Sequence, residues 1–319
     1  MAVRLEYPPV AGAPSPDGEV HEVSAHVPPP EEEPPMSSHP SVRHRAALAG
    51  ALRNASYEVL PFPSTEDKVL GHVPPEVPLT VTATEAKGIE ATVELAVRLS
   101  KNGYQVAPHL SARLIRCHAE LEDIAVRLQE SGIERIFAVG GDAAEPAGEF
   151  ADAESLLVAL AEAGRSFRSV GIAGYPEGHG KLPDAVIDEA LRAKAGHAHE
   201  IITQLCFNPD TTIDWARRLR SEGIRTPIRV GVPGSINRQK LIRVSAGLGL
   251  GQSARFLAKQ SAMFWRFFLP NGYRPDKLIS GLADRIGRSD NELAGLHVFT
   301  FNDLASTERW RQRWLAQLE

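Results

Sequence analysis

The sequence predicts an α/β protein built as an eight-stranded parallel (β/α)8 barrel, a TIM barrel, preceded by an extended Pro-rich N-terminal tail. Two observations predict it. Short apolar runs rich in β-branched residues recur along the chain, most carrying a polar residue toward the end, and between them lie segments whose apolar residues follow helical spacing. Repeated eight times, that alternation closes into a parallel barrel wrapped by helices. A chain of 319 residues could hold one large domain or two small ones, and the unbroken alternation favours one.

The first 40 residues stand apart. Tyr7–Pro16, Val27–Pro30 and Glu31–Pro35 are proline-rich and lack any period. Proline locks φ and removes a backbone donor, so residues 1–40 are expected as a disordered tail or an extended strap, and 41–319 as the barrel domain. His39–Leu52 reads as a short helix plugging the bottom of the barrel. The expected strands are then Ser56–Phe62, Leu79–Thr84, Tyr104–Leu110, Arg135–Asp142, Ser169–Glu177, Glu200–Asn208, Pro227–Pro233 and His297–Asn302. The expected helices include Ile89–Leu99, Glu120–Leu128, Ala153–Leu160, Asp184–Leu191 and Thr212–Leu219. From Gly247 to Gly287 the pattern turns irregular, and Ala262–Leu269 and Pro275–Ile286 read as extra helices before the last strand. The aromatic residues of the first of these suit core packing.

Bulk properties exclude some classes. With 35 basic and 40 acidic residues, nothing draws the chain toward nucleic acid or a membrane surface. Cys117 and Cys206 are too far apart in sequence to suggest a metal knuckle or a disulfide framework, and Cys206 sits inside an apolar strand. No apolar run approaches the ~18 residues of a spanning helix, and the N-terminus lacks an apolar signal core, so a cytoplasmic location is expected. Oligomeric state is open.

In parallel barrels the C-terminal strand ends build the site. Here those ends carry Glu58, Thr82, His109, Asp142, Tyr175 with Glu177, Gln204 and Asn302. Gln204 is the most informative. It lies within Glu200–Asn208, among apolar residues, and a buried amide demands partners. Its donor and acceptor suit a heterocycle carrying both groups, although neighbouring backbone could satisfy it equally. Asp142 could bind ligand or cap the following helix. Glu58, flanked by Tyr57 and Val59, is the candidate acid, because an apolar setting favours the protonated carboxyl. No metal-ligand cluster is evident.

Taken in order, these strand ends resemble the methylenetetrahydrofolate reductase family. The resemblance rests on Ser56–Phe62, Ala107–Leu110, Gly141-Asp142, Y-P-E-G-H over 175–179, I-T-Q-L-C-F over 202–207, Gly231–Pro233 and Phe299–Asn302. It implies reduction of 5,10-methylenetetrahydrofolate to 5-methyltetrahydrofolate with NADH or NADPH, as part of one-carbon metabolism and methionine biosynthesis. It further implies Glu58 as acid, with Asp142, Gln204 and Asn302 toward the folate. Thr82, His109, Tyr175, Glu177 and His179 would face the cofactor, and Asp188 and Lys194 fall near the family's flavin tail.

The departures bear on that cofactor. The family's Arg-Gly-Asp reads Gly140-Gly141-Asp142 here, and its Thr-Tyr-Gly reads Thr82-Ala-Thr-Glu85. The folate-stacking aromatic falls near Asn237, the arginine after the last strand is replaced by Asp303, and Ser64–Pro78 is short and expected to lack the first helix. These changes count against FAD and favour direct hydride transfer from the nicotinamide. The same reaction through bound FAD, a non-catalytic folate-binding module and a folate-linked methyltransferase are the alternatives.

Overall fold

The computed structural model describes residues 42–180, 182–235, 275–283, 285, 286, 288 and 293–318. Eight parallel strands pair in sequence order and β8 closes on β1. They are β1 (Ser56–Val59), β2 (Leu79–Val81), β3 (Val106–Ser111), β4 (Arg135–Val139), β5 (Ser169–Gly174), β6 (Glu200–Leu205), β7 (Ile228–Pro233) and β8 (Leu293–Phe299). The helices are α1 (Val42–Arg53), α2 (Thr65–His72), α3 (Gly88–Lys101), α4 (His118–Glu130), α5 (Ala153–Glu162), α6 (Asp184–Ala195), α7 (Pro209–Ser221), α8 (Asp276–Ala283) and α9 (Leu304–Leu318). A 3-10 turn, Ala112–Leu114, follows β3.

Strand alternation decides which residues face the barrel interior. Tyr57 points outward, its hydroxyl donating to Glu308 of α9 at 2.7 Å. Ser56 and Glu58 therefore point inward. Outward Leu79, Val81, Val106 and Leu110 are fully buried beneath the helices. At the N-terminal end of the barrel Glu200 accepts from Arg135 at 2.7 Å and from Arg229 at 3.0 Å. Burial pushes the Glu200 carboxyl up, but the two guanidiniums outweigh it and hold the group below its ordinary value. This half-buried ion cluster lies at the N-terminal end, opposite the strand ends that carry the candidate residues.

Local sequence explains the helix starts. Asp152 caps α5, accepting from Ser155 N at 2.9 Å in a capping box. Asn208 caps α7, with Pro209 in its first turn. Three expectations are corrected. Residues 65–72 do form a helix, α2, whose short length and few buried residues, Thr65 and Val69, left little period to read. β8 begins at Leu293, before the expected His297. α1 packs chiefly on α8, α9 and β8, on one side of the barrel rather than centrally beneath it. The second expected extra helix is α8, while Ala262–Leu269, Asn237 and the 1–40 tail lie outside the described residues. Among the described residues no helix is long and apolar enough to cross a membrane.

Candidate active site

Glu58 is the penultimate residue of β1, with its side chain 15 % exposed. Two imidazoles flank it. His109 Nε2, from β3, lies 3.7 Å from Glu58 Oε2, and His297 Nε2, from β8, lies 4.0 Å from the same oxygen. Pairing of Ser56 with His297 across β1 and β8 sets the second contact, and Ser56 Oγ hydrogen-bonds His297 Nδ1 at 2.8 Å. His109 is buried, its ring 4.7 Å from that of Phe137. Burial lowers its pKa to about 4, against the smaller opposing pull of Glu58, and His297 lowers it further. The 3.7 Å contact is therefore no ion pair near neutrality: a neutral imidazole faces the carboxyl.

Several polar atoms around this centre are buried without a hydrogen-bond partner among the described residues. They include His109 Nε2 and the hydroxyls of Thr80, Thr82 and Thr84 at the end of β2. Leaving a buried polar group unpaired costs about 1–3 kcal/mol, so such a cluster marks a place where a polar ligand or water completes the bonding.

Gln204 stands across the mouth on β6. The β6–β7 register shifts between Ile202 and Leu205, and Thr203 Oγ1 accepts from Gly231 N at 2.8 Å inside that irregularity. Gln204 Oε1 accepts from the backbone of Leu205 at 2.9 Å, so the acceptor end is held locally. Its Nε2 has no partner among the described residues, which leaves a donor for a ligand. Asp142 is exposed on the loop after β4, beside Tyr175. Burial pushes the Tyr175 hydroxyl up to about 12, and the charge of Asp142 adds to it. The Tyr175 and His179 rings meet edge to face at 5.0 Å. His179 Nδ1 also accepts from Leu182 N.

Other strand-end residues are bonded within the fold, although Glu177 Oε2 is also buried without a hydrogen-bond partner among the described residues. Glu177 Oε1 accepts from the backbone N–H groups of Phe207 at 2.6 Å and Asn208 at 2.8 Å, tying the turn after β5 to the start of α7. Asn302 is buried with a φ of +54°. Its Oδ1 accepts from Leu60 N, and its Nδ2 donates to Leu60 O and Thr65 Oγ1. It pins the end of β1 and thereby the acid beside it. Asp188 is engaged by Arg218 of α7 in a bidentate pair. Lys194 sits by Asp152 and Glu154, its pKa lowered by burial against their charge.

Strand ends alone did not single out His297 or Thr80. The signal was present as alternation, since each is an even step from an inward residue on a strand neighbouring β1.

Comparison with known proteins identifies the family. A family model described as methylenetetrahydrofolate reductase matches residues 67–247, more than half of the chain. Methylenetetrahydrofolate reductase 2 of Saccharomyces cerevisiae is 31% identical over 123 residues, 35% of this chain and 20% of that protein. Methylenetetrahydrofolate reductase 1 of Schizosaccharomyces pombe is 28% identical over 148 residues, 43% and 24% of the two chains. The 5,10-methylenetetrahydrofolate reductase of Pectobacterium carotovorum is 27% identical over 199 residues, 59% and 65%. The chain thus spans less than two thirds of each relative's length, and Glu58 falls outside the residues the family model matches. A match over more than half of the chain, on a closed eight-stranded parallel barrel, places it: the chain belongs to the methylenetetrahydrofolate reductase family.

Proposed function

We propose that this protein reduces 5,10-methylenetetrahydrofolate to 5-methyltetrahydrofolate with NADH or NADPH, the hydride passing directly from the nicotinamide. One observation carries the reading: a carboxyl on β1, flanked by two imidazoles, with buried threonine hydroxyls, unpaired among the described residues, on neighbouring β2 and the segment after it.

The reaction asks two things of a protein. A proton must reach a bridging nitrogen so that a carbon–nitrogen bond of the five-membered ring breaks, and a hydride must reach the methylene carbon. Glu58 is placed to hold that proton on its carboxyl, steered by His109 and His297, and solvent restores it after turnover. The free Nε2 of Gln204 and the carboxylate of Asp142 offer a donor and an acceptor to the amino-pyrimidine edge of the pterin. A dihydronicotinamide supplies the hydride when bound, and its electronics are its own. Tyr175 and His179 provide an aromatic wall beside Asp142.

The fit to FAD is poorer. At Gly140, where the family resemblance places an arginine, an added Cβ meets nothing within 4 Å. No side chain reaches out from that position to hold a flavin's polar atoms. Thr82 Oγ1 and His109 Nε2 could bond a nicotinamide carboxamide as readily as a flavin, so they do not discriminate.

The test is an NADH- or NADPH-oxidation assay with methylenetetrahydrofolate and no added flavin, paired with the absorption spectrum of the purified protein. Turnover by a colourless protein supports the reading. Folate binding without turnover would point to a binding module, and a flavin spectrum would point to the FAD-dependent route.

A further inference from the structure

The loop that carries Asp142 is anchored by its own side chains mainly near its end, where Glu149 bonds His118 and Asp152 caps α5. Residues 140–152 contain neither strand nor helix, and Gly140, Gly141, Ala143, Ala144, Ala147, Gly148 and Ala151 offer at most a methyl group for packing. Phe150 is its buried hydrophobic anchor. A segment of this composition has many conformations to lose on ordering, so its shape must be imposed from outside.

It is imposed from the turn after β3. Arg113 Nε donates to Ala143 O at 2.7 Å, and its two terminal nitrogens donate to Ala144 O at 2.6 Å and Ala151 O at 3.1 Å. The main chain adds Arg113 N to Gly140 O, Ala147 N to Arg113 O and Glu149 N to Arg116 O, at 3.0, 3.0 and 3.1 Å. The fit is close. A Cβ at Gly148 would fall 1.7 Å from Arg116 O, and one at Gly141, whose φ is +98°, would fall 2.2 Å from Ser111 Oγ. Asp142 is therefore fixed on both sides, by Gly141 wedged on Ser111 and by the Ala143 carbonyl held on the guanidinium.

We propose that Arg113 is a positioning residue for folate binding: through its grip on three loop carbonyls it sets where the Asp142 carboxylate meets the pterin. This rests on the reading of Asp142 as a folate ligand. A rigid fork of donors can span three carbonyls, whereas a lysine ammonium on a flexible stem cannot reproduce that span. Arg113 approaches the reaction only through the loop, so its loss falls on substrate affinity and not on the chemical step.

The experiment compares Arg113→Ala and Arg113→Lys with Arg98→Ala, which breaks an exposed arginine–Glu66 pair elsewhere. Amide hydrogen exchange over 141–151, thermal stability, KM for methylenetetrahydrofolate and kcat are measured on each. Expected for Arg113→Ala are faster exchange confined to 141–151 and a KM raised about ten-fold, with kcat within about three-fold. Arg113→Lys should fall between, and Arg98→Ala should leave KM and loop exchange unchanged. Unchanged exchange, or faster exchange with an unchanged KM, overturns the proposal. An Asp142→Ala variant that binds 5-methyltetrahydrofolate as the parent does overturns the folate reading of Asp142 itself, a result separable from a loosened loop.

Discussion

Glu58 and His109 face each other at 3.7 Å, and two predictions follow from that contact. Replacing Glu58 by Gln keeps the shape and removes the transferable proton. Folate affinity should stay within a few-fold while kcat drops by on the order of 10²–10⁴, the usual share of a general acid. A near-normal kcat would remove Glu58 from the mechanism. His109 is neutral when folded, with its pKa lowered to about 4 by burial, and takes a proton near 6.5 when unfolded. Between those values the unfolded chain binds the additional proton, so this group's contribution to stability is present above about 6.5 and is lost as pH falls toward 4. The loss is at most on the order of 3 kcal/mol. His109→Gln should lack that share, and urea unfolding of both proteins at pH 7 and pH 4.5 reads it. A stability difference that does not change with pH would show that His109 is not held neutral. Gln204→Leu deletes the unpaired Nε2 and should weaken folate binding by roughly 1–3 kcal/mol, with little effect on proton transfer; unchanged affinity would make it a core amide. Sequence made Glu58 and Gln204 legible because each interrupts an apolar strand. It could not show that Asn302 and one oxygen of Glu177 accept from backbone N–H groups, because those partners lie 242 and 30 residues away in sequence.

At the scale of elements, β6 and β7 meet through an irregularity that the sequence pattern does not reveal. Gly231 lies against it so closely that an added Cβ would stand 2.3 Å from Thr203 O, 2.7 Å from the Phe299 ring and 2.9 Å from Gln204 O. Two of those atoms are backbone and cannot swing aside. Gly231→Ala should therefore destabilise the fold by on the order of 3 kcal/mol, at the upper end of overpacking costs. It should also disturb Gln204, raising KM for folate in whatever protein still folds. A variant with parental Tm and KM would mean that the β6 irregularity is soft. The same scale explains which elements could be read in advance. Amphipathic α3 and α7 bury one clear face apiece, and their spacing announced them. α2 buries two residues of eight, leaving local sequence with almost no pattern to display.

For the whole molecule, alternation of strand and helix was enough to predict closure, since eight such units leave few other ways to bury every apolar face. Closure also fixes the kinetics to be expected. All eight strands run the same way, so the candidate residues at their C-terminal ends share one end of the barrel, away from the Arg135–Glu200–Arg229 cluster. Direct hydride transfer then requires nicotinamide and folate to occupy that mouth together, with the donor carbon against the methylene. Initial velocities should accordingly give intersecting double-reciprocal lines when NADH and methylenetetrahydrofolate are varied, the sign of a ternary complex. A flavin relay would separate the two half-reactions, because the first substrate can leave before the second arrives. Parallel lines, with a yellow protein that bleaches on NADH alone, would overturn direct transfer. The Glu58–His109–His297 centre would survive that outcome, since a proton must reach the folate nitrogen whichever group delivers the hydride.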